Sequence, residues 1–173
     1  MPTVVERVEP DVLPDERTAL VQFLDYFRDS LELKTDGLTD AQSATASCPP
    51  SILTITGLVR HMAEVERHWF QLVMAGRDTP RLYWDVDGHP DGDFDLVTDT
   101  TSLADAVAEW RHEIAVSSGI TAAIASLDTV SVRQDWGRSV NLRWVLVHMI
   151  EEYARHCGHA DLLRERIDGV VGD

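Results

Sequence analysis

The sequence predicts an all-α protein, a four-helix bundle, and three observations carry that expectation. Apolar residues recur at three- and four-residue steps in four separate stretches, no stretch alternates apolar with polar residues, and glycine- or proline-bearing segments separate the stretches. Four amphipathic helices bury their apolar stripes against one another, which gives an antiparallel-type bundle. The 173 residues are enough for one domain with a real core, here taken as a single unit over 1–173.

Residues 1–14 are proline-bearing and show little periodicity, so they read as an N-terminal arm. From Asp15 the pattern becomes helical, with Leu20, Phe23, Leu24, Phe27 and Leu31 on one stripe and Asp36-Gly37 as the stop. Cys48-Pro49-Pro50 marks a connection, because proline cannot sit inside a helix; a short helical turn is expected near Thr39. The second helix spans about Thr54 to Ala75 and stops at Gly76, with Ile55, Leu58, Met62, Val65, Trp69 and Val73 as its stripe.

Residues 77–101 read as a long loop rich in Asp, Gly and Pro, and its Tyr83, Trp84 and Phe94 imply that it packs over something. Ser102 and Asp105 form a variant capping box that opens the third helix, on which Leu103, Ala106, Val107, Trp110 and Ile114 are apolar and Gly119 marks a weak point. Residues 127–140, with Asp135-Trp136-Gly137, form a second loop. The fourth helix runs from about Asn141 to Ile167 and ends at Asp168-Gly169.

A formal net charge of −15 argues against nucleic acid, whose binding needs a basic footprint, and against anionic membrane surfaces. No run approaches the ~18 apolar residues of a membrane span. The opening Met-Pro-Thr-Val-Val-Glu-Arg has no apolar signal-peptide core, and Cys48 and Cys157 form no CxxC pair; a reduced, cytoplasmic setting is expected.

The residues that carry chemistry cluster on two helices. On the fourth, His148, Glu152, His156 and His159 fall within about 80° of one another on one face. On the second, His61 lies at the edge of the apolar stripe beside Leu58, Met62 and Val65. Imidazole and carboxylate suit a borderline divalent cation such as zinc or nickel, and three protein ligands would leave one position open, as catalytic sites do. Spacing alone leaves the rival reading standing: histidines beside an apolar stripe are often hydrogen-bonded boundary residues.

Other residues read as bland. His68 is assigned to the surface or boundary, Trp69, Trp110, Trp144 and Cys157 to the core, and Glu64 and Glu66 to a solvated face. Asp85, Asp87, Asp91, Asp93 and Asp95 suggest a calcium loop only faintly, since Leu96 stands where the terminal glutamate belongs.

The stretch Gly57-Leu58-Val59-Arg60-His61-Met62-Ala63-Glu64-Val65-Glu66-Arg67-His68-Trp69-Phe70 resembles the second helix of the DinB-like family. Leu142 to His148, followed by Glu152-Tyr153-Ala154-Arg155-His156-Cys157 and Gly158-His159-Ala160-Asp161-Leu162-Leu163-Arg164-Glu165, resembles its fourth, and the ending is similar to the branch labelled mini-circle protein. That resemblance implies an up-down-down-up bundle, a metal site near one end of its axis, and a homodimer. The family's first ligand falls on His61. Where many members carry a His-x-x-x-His pair, this chain has Glu152 and His156, which departs from the three-histidine pattern but is similar to mycothiol-dependent maleylpyruvate isomerase. The resemblance thus implies His61, Glu152 and His156 as metal ligands, with His148 and His159 as second choices. It also implies a low-molecular-weight thiol such as mycothiol, activated by the metal to act on a small electrophile in a transfer or isomerisation. The segment 77–101, with Trp84, is expected to cover the site, and Arg81 and Arg155 are candidates to hold the thiol cofactor. A metal-dependent hydrolase using the same residues, and a non-catalytic stress or interaction protein, are the alternatives.

Overall fold

The computed structural model describes residues 6–172, and the first five residues of the expected N-terminal arm lie outside it. The protein is mostly helical. Residues 6–14 form neither helix nor strand, and Asp15 then caps α1 (Glu16–Leu33) by accepting a hydrogen bond from the Thr18 amide. Thr39 opens the short α2 (Asp40–Ser43) with a reciprocal capping box to Gln42, where one turn was expected. Thr54 caps α3 (Ile55–Glu66) through the Gly57 amide.

The second long helix departs from the single uniform helix that its periodicity suggested. Beyond Glu66 it continues as a π-helical segment, Arg67–Met74, in which the Ala75 amide bonds the Phe70 carbonyl five residues back. The wide winding coincides with a polar anchor: Arg67 and Gln71 reach the fully buried Glu113 at 2.7 and 2.6 Å. Gly76, at φ 65°, then ends the run.

The segment 77–101 is more structured than a loop. It contains a hairpin of β1 (Trp84–Val86) and β2 (His89–Asp91), pairing Trp84 with Asp91 and Val86 with His89, followed by α4 (Gly92–Asp95). The turn residues Asp87 and Gly88 both have positive φ, 52° and 82°, which is the backbone an Asp-Gly pair adopts in a two-residue hairpin. Within the Asp-rich stretch, Asp87-Gly88 is thus a turn signal.

Helix α5 (Leu103–Ala123) starts at Ser102, which accepts from the Asp105 amide, and runs unbroken through Gly119, the expected weak point. Helix α6 (Leu142–Asp168) starts at Asn141 and ends at Gly169 in the left-handed conformation. Helix α1 packs chiefly on α6, and α3 on α5, with α3 also touching α6. Among the described residues, no helix is long and apolar enough to cross a membrane.

The four long helices meet at one buried polar cluster. Arg28 of α1 donates two hydrogen bonds of 2.9 Å to Glu66 of α3, Tyr153 of α6 donates to Glu66 at 2.7 Å, and Trp110 of α5 donates to the Tyr153 hydroxyl at 2.8 Å. Burial and the Glu66 charge raise the Tyr153 pKa, so its hydroxyl stays protonated and can donate. Glu66 is fully buried rather than solvated, a reversal that its position in an amphipathic pattern did not reveal. Trp69 and Trp110 are core residues as expected, whereas Trp144 is 40% exposed.

Candidate functional site

Helices α3 and α6 bring three predicted residues together. His61, Glu152 and His156 each offer one ligand-type atom, and these atoms lie within 4.8 Å of one another. Glu152 and His156 stand one turn apart on α6, with Glu152 Oε2 3.4 Å from His156 Nε2. Ligands on a tetrahedral ion with bonds near 2.1 Å sit about 3.4 Å apart, so this edge already has the length a small cation needs. The hydrogen bond to His156 holds the Glu152 carboxyl below the usual carboxylate range, against the opposing effect of burial, so it is ionised at neutral pH.

The other two histidines take different positions. His159 lies beside His156, with Nδ1 to Nδ1 at 3.3 Å, and is more a partner to that ring than a member of the trio. His148 sits away from His61, stacked on Trp144 at 4.9 Å and edge-on to Trp69, with Nε2 3.9 Å from Glu152 Oε1. It groups with Glu151 and Glu152 as a second set of ligand-type atoms. In that set Arg155 already pairs with Glu151 and lies 3.4 Å from Glu152, so its carboxylates carry a competing cation.

The segment 77–101 supplies a residue that sequence reasoning passed over. Asp93, 1% exposed, accepts from His61 Nδ1 at 2.8 Å and from the Trp84 indole at 2.9 Å. A carboxylate can only accept, so the bond assigns the proton to Nδ1 and leaves the Nε2 lone pair of His61 free for a ligand. Carboxylate–histidine pairs of this kind orient imidazoles for metals. The donor set therefore fits a divalent cation: two imidazoles, one ionised carboxylate, and one imidazole fixed in the tautomer that coordination requires.

Glu64 holds this segment in place. Its Oε2 accepts from the backbone amides of Leu82 and Tyr83 at 2.7 Å and of Trp84 at 3.4 Å. Like Glu66 it is fully buried, not solvated. Gly57 lets the segment close in, since a Cβ there would lie 2.5 Å from the Phe94 ring, and that ring packs against His61.

A cavity of about 310 Å³ opens beside the trio, lined by His61 and Glu152 and by His68, Arg81, Trp84, Asp135 and Trp136 among others. His68 is buried rather than at the boundary, where the wider winding of Arg67–Met74 carries it. Arg81 donates to its Nδ1 at 2.8 Å, so the proton resides on Nε2, which faces Asp135 at 3.4 Å. Burial pushes the His68 pKa down, only partly opposed by Asp135, and the ring is neutral. Cys157 is bland, as expected: burial raises its thiol to about 12, so it is no thiolate nucleophile at neutral pH.

Residues 19–169 match the family described as MST: Mycothiol-S-transferase. No curated protein matches the chain. Among solved structures, a conserved protein from Enterococcus faecalis is similar in fold, with a TM-score of 0.64 and 20% identity over 91% of this chain and 100% of that one. With the family match covering most of its length, the chain belongs to the mycothiol-S-transferase family of DinB-like proteins.

Proposed function

We propose that the protein is a metal-dependent thiol S-transferase acting on a small electrophile. The observation that carries this reading is the convergence of His61, Glu152 and His156 beside a cavity that the first two line, in a chain of the mycothiol-S-transferase family. These three residues would hold one divalent cation, zinc first and nickel second by the same donor chemistry, and a low-molecular-weight thiol such as mycothiol would take the open position. A bound divalent cation supplies one thing: it makes a coordinated thiol lose its proton at neutral pH.

This chain's own residues do the rest. Asp93 holds the His61 proton on Nδ1 and so keeps the Nε2 lone pair for a ligand, and the same oxygen anchors Trp84, which lines the cavity. The cavity beside Glu152 takes the electrophile. The thiol sulfur then bonds the electrophilic carbon, the leaving group departs with the electron pair of the bond it loses, and the thiol proton passes to solvent. Reversible addition to a conjugated double bond at the same place would give isomerisation. We infer that the four long helices form an up-down-down-up bundle, a single domain over 1–173, and that it assembles as a homodimer.

Elemental analysis of untagged protein, with His61→Ala and Glu152→Ala beside the wild type, tests the metal site. About one equivalent of zinc or nickel in the wild type, reduced in both variants, supports it. Conjugation of a thiol to an alkyl or aryl halide should then require the metal. Turnover of an ester with no thiol added would favour a hydrolase instead. A protein that stays empty after reconstitution ends both enzyme readings.

A further inference from the structure

Trp136 occupies a backbone position that opposes its side chain. Asp135 and Arg138 exchange two backbone hydrogen bonds of 2.9 Å, which makes Trp136-Gly137 a two-residue hairpin loop. Trp136 and Gly137 both have positive φ, 48° and 72°, the mirror-image turn that favours asparagine, aspartate or glycine. A tryptophan there is strained. Nor does burial offset the strain, because Trp136 is 76% exposed, more than any other tryptophan in the chain.

The indole is nonetheless placed. It meets the buried Trp69 edge to face at 5.7 Å, and it lines the same cavity as His61, Glu152 and Trp84. Trp84 on the hairpin already carries Arg81 over its ring, 5.4 Å from the centroid, whereas among the described residues no cation lies over Trp136. Of the charges facing the cavity, that of Glu152 belongs to the ligand trio, and those of Arg81 and Asp135 are opposite in sign and linked through His68.

We infer that Trp136 is the wall on which the electrophile stacks, and that the cavity selects planar, unsaturated electrophiles, aryl or conjugated, over small acyclic ones. This rests on the thiol-transfer reading for its choice of substrate. Stacking itself needs only the cavity and the indole.

The test uses the full-length, zinc-loaded protein as wild type, Trp136→Asn, Trp136→Leu and Trp136→Phe. Equilibrium dialysis measures binding of two thioethers of N-acetylcysteine, one S-(2,4-dinitrophenyl) and one S-carbamoylmethyl. Trp136→Asn should weaken the aryl thioether about tenfold and leave the acyclic one within about twofold, while Trp136→Phe retains most of the aryl preference. Its melting temperature should equal or exceed the wild type's, since asparagine suits the turn; a merely structural tryptophan would lower it. Trp136→Leu keeps apolar bulk without a π face and should also lose the preference, which keeps the test decisive should the asparagine variant fail to fold.

A wild type with no preference for the aryl thioether overturns the inference, as does a Trp136→Asn protein that binds it unchanged or loses both ligands equally. Conjugation of N-acetylcysteine with 1-chloro-2,4-dinitrobenzene separates the two claims. A wild type that shows the aryl preference but no catalysis overturns the transferase reading and leaves the wall standing. Catalysis with binding indifferent to residue 136 does the reverse.

Discussion

Asp93 Oδ2 accepts from both His61 Nδ1 and Trp84 Nε1, so replacing this one oxygen removes two constraints from the site. In Asp93→Asn, the amide keeps the size but offers either an acceptor or a donor at that point. The His61 ring then loses the partner that fixes its tautomer. Zinc affinity should fall about 10- to 100-fold, read by competition with a chromophoric chelator, while the helical circular dichroism stays the same. An unchanged affinity would remove Asp93 from the site. Its role could not be read from the sequence, because Asp93 is one of several aspartates in an Asp- and Gly-rich stretch and only the hairpin brings it to His61. The cluster of His61 with His148, Glu152, His156 and His159 was legible for a different reason: four of these share one helix face, and the fifth sits at the edge of a regular stripe. The choice of His61, Glu152 and His156 within it came from the family resemblance.

The backbone leading into the hairpin is held by one carboxylate. Glu64→Gln replaces an acceptor-only carboxylate that holds the Leu82, Tyr83 and Trp84 amides with a weaker acceptor. Hydrogen exchange at Leu82 and Tyr83 should quicken by roughly tenfold, a loss of about 1.4 kcal/mol in local protection, with α5 and α6 unaffected. Equal quickening throughout the chain would mean that Glu64 serves the core and not the hairpin. The long helices were legible because caps and stops are local: Asp15, Ser102, Asn141 and Gly169 stand where the structure uses them. The π-helical winding of Arg67–Met74 was not, since its apolar spacing passes equally for an α-helix and its partner Glu113 is distant in sequence.

Across the whole molecule, the Arg28–Glu66–Tyr153–Trp110 cluster joins all four long helices. Removing the charge of one partner leaves the other buried alone, so Arg28→Met should cost about 3–5 kcal/mol in urea unfolding. A loss under about 1 kcal/mol would show that Glu66 finds another partner or takes up a proton. Stability should also depend on pH through His68. Burial lowers its folded pKa below the unfolded value, so the unfolded chain binds more protons between the two. The stability is present above about 6.5 and is lost as pH falls below it. Urea midpoints of chelator-treated wild type should fall between pH 7.5 and 5.5 more steeply than those of His68→Gln; parallel slopes would contradict this.

One consequence follows from how the hairpin is attached. The helices contribute His61, Glu152 and His156, while Trp84 and Asp93 come from a segment that meets the framework at a few points: Glu64 on its backbone, the gap at Gly57, Asp93 on His61 and Arg81 on His68. The stretch between residues 77 and 101 can therefore change in length and composition without repacking the bundle, provided that Glu64, Gly57 and a carboxylate reaching His61 are retained. Such a division makes this stretch an exchangeable cassette, on which new substrate preferences can evolve or be grafted while the chemistry beneath it is inherited intact.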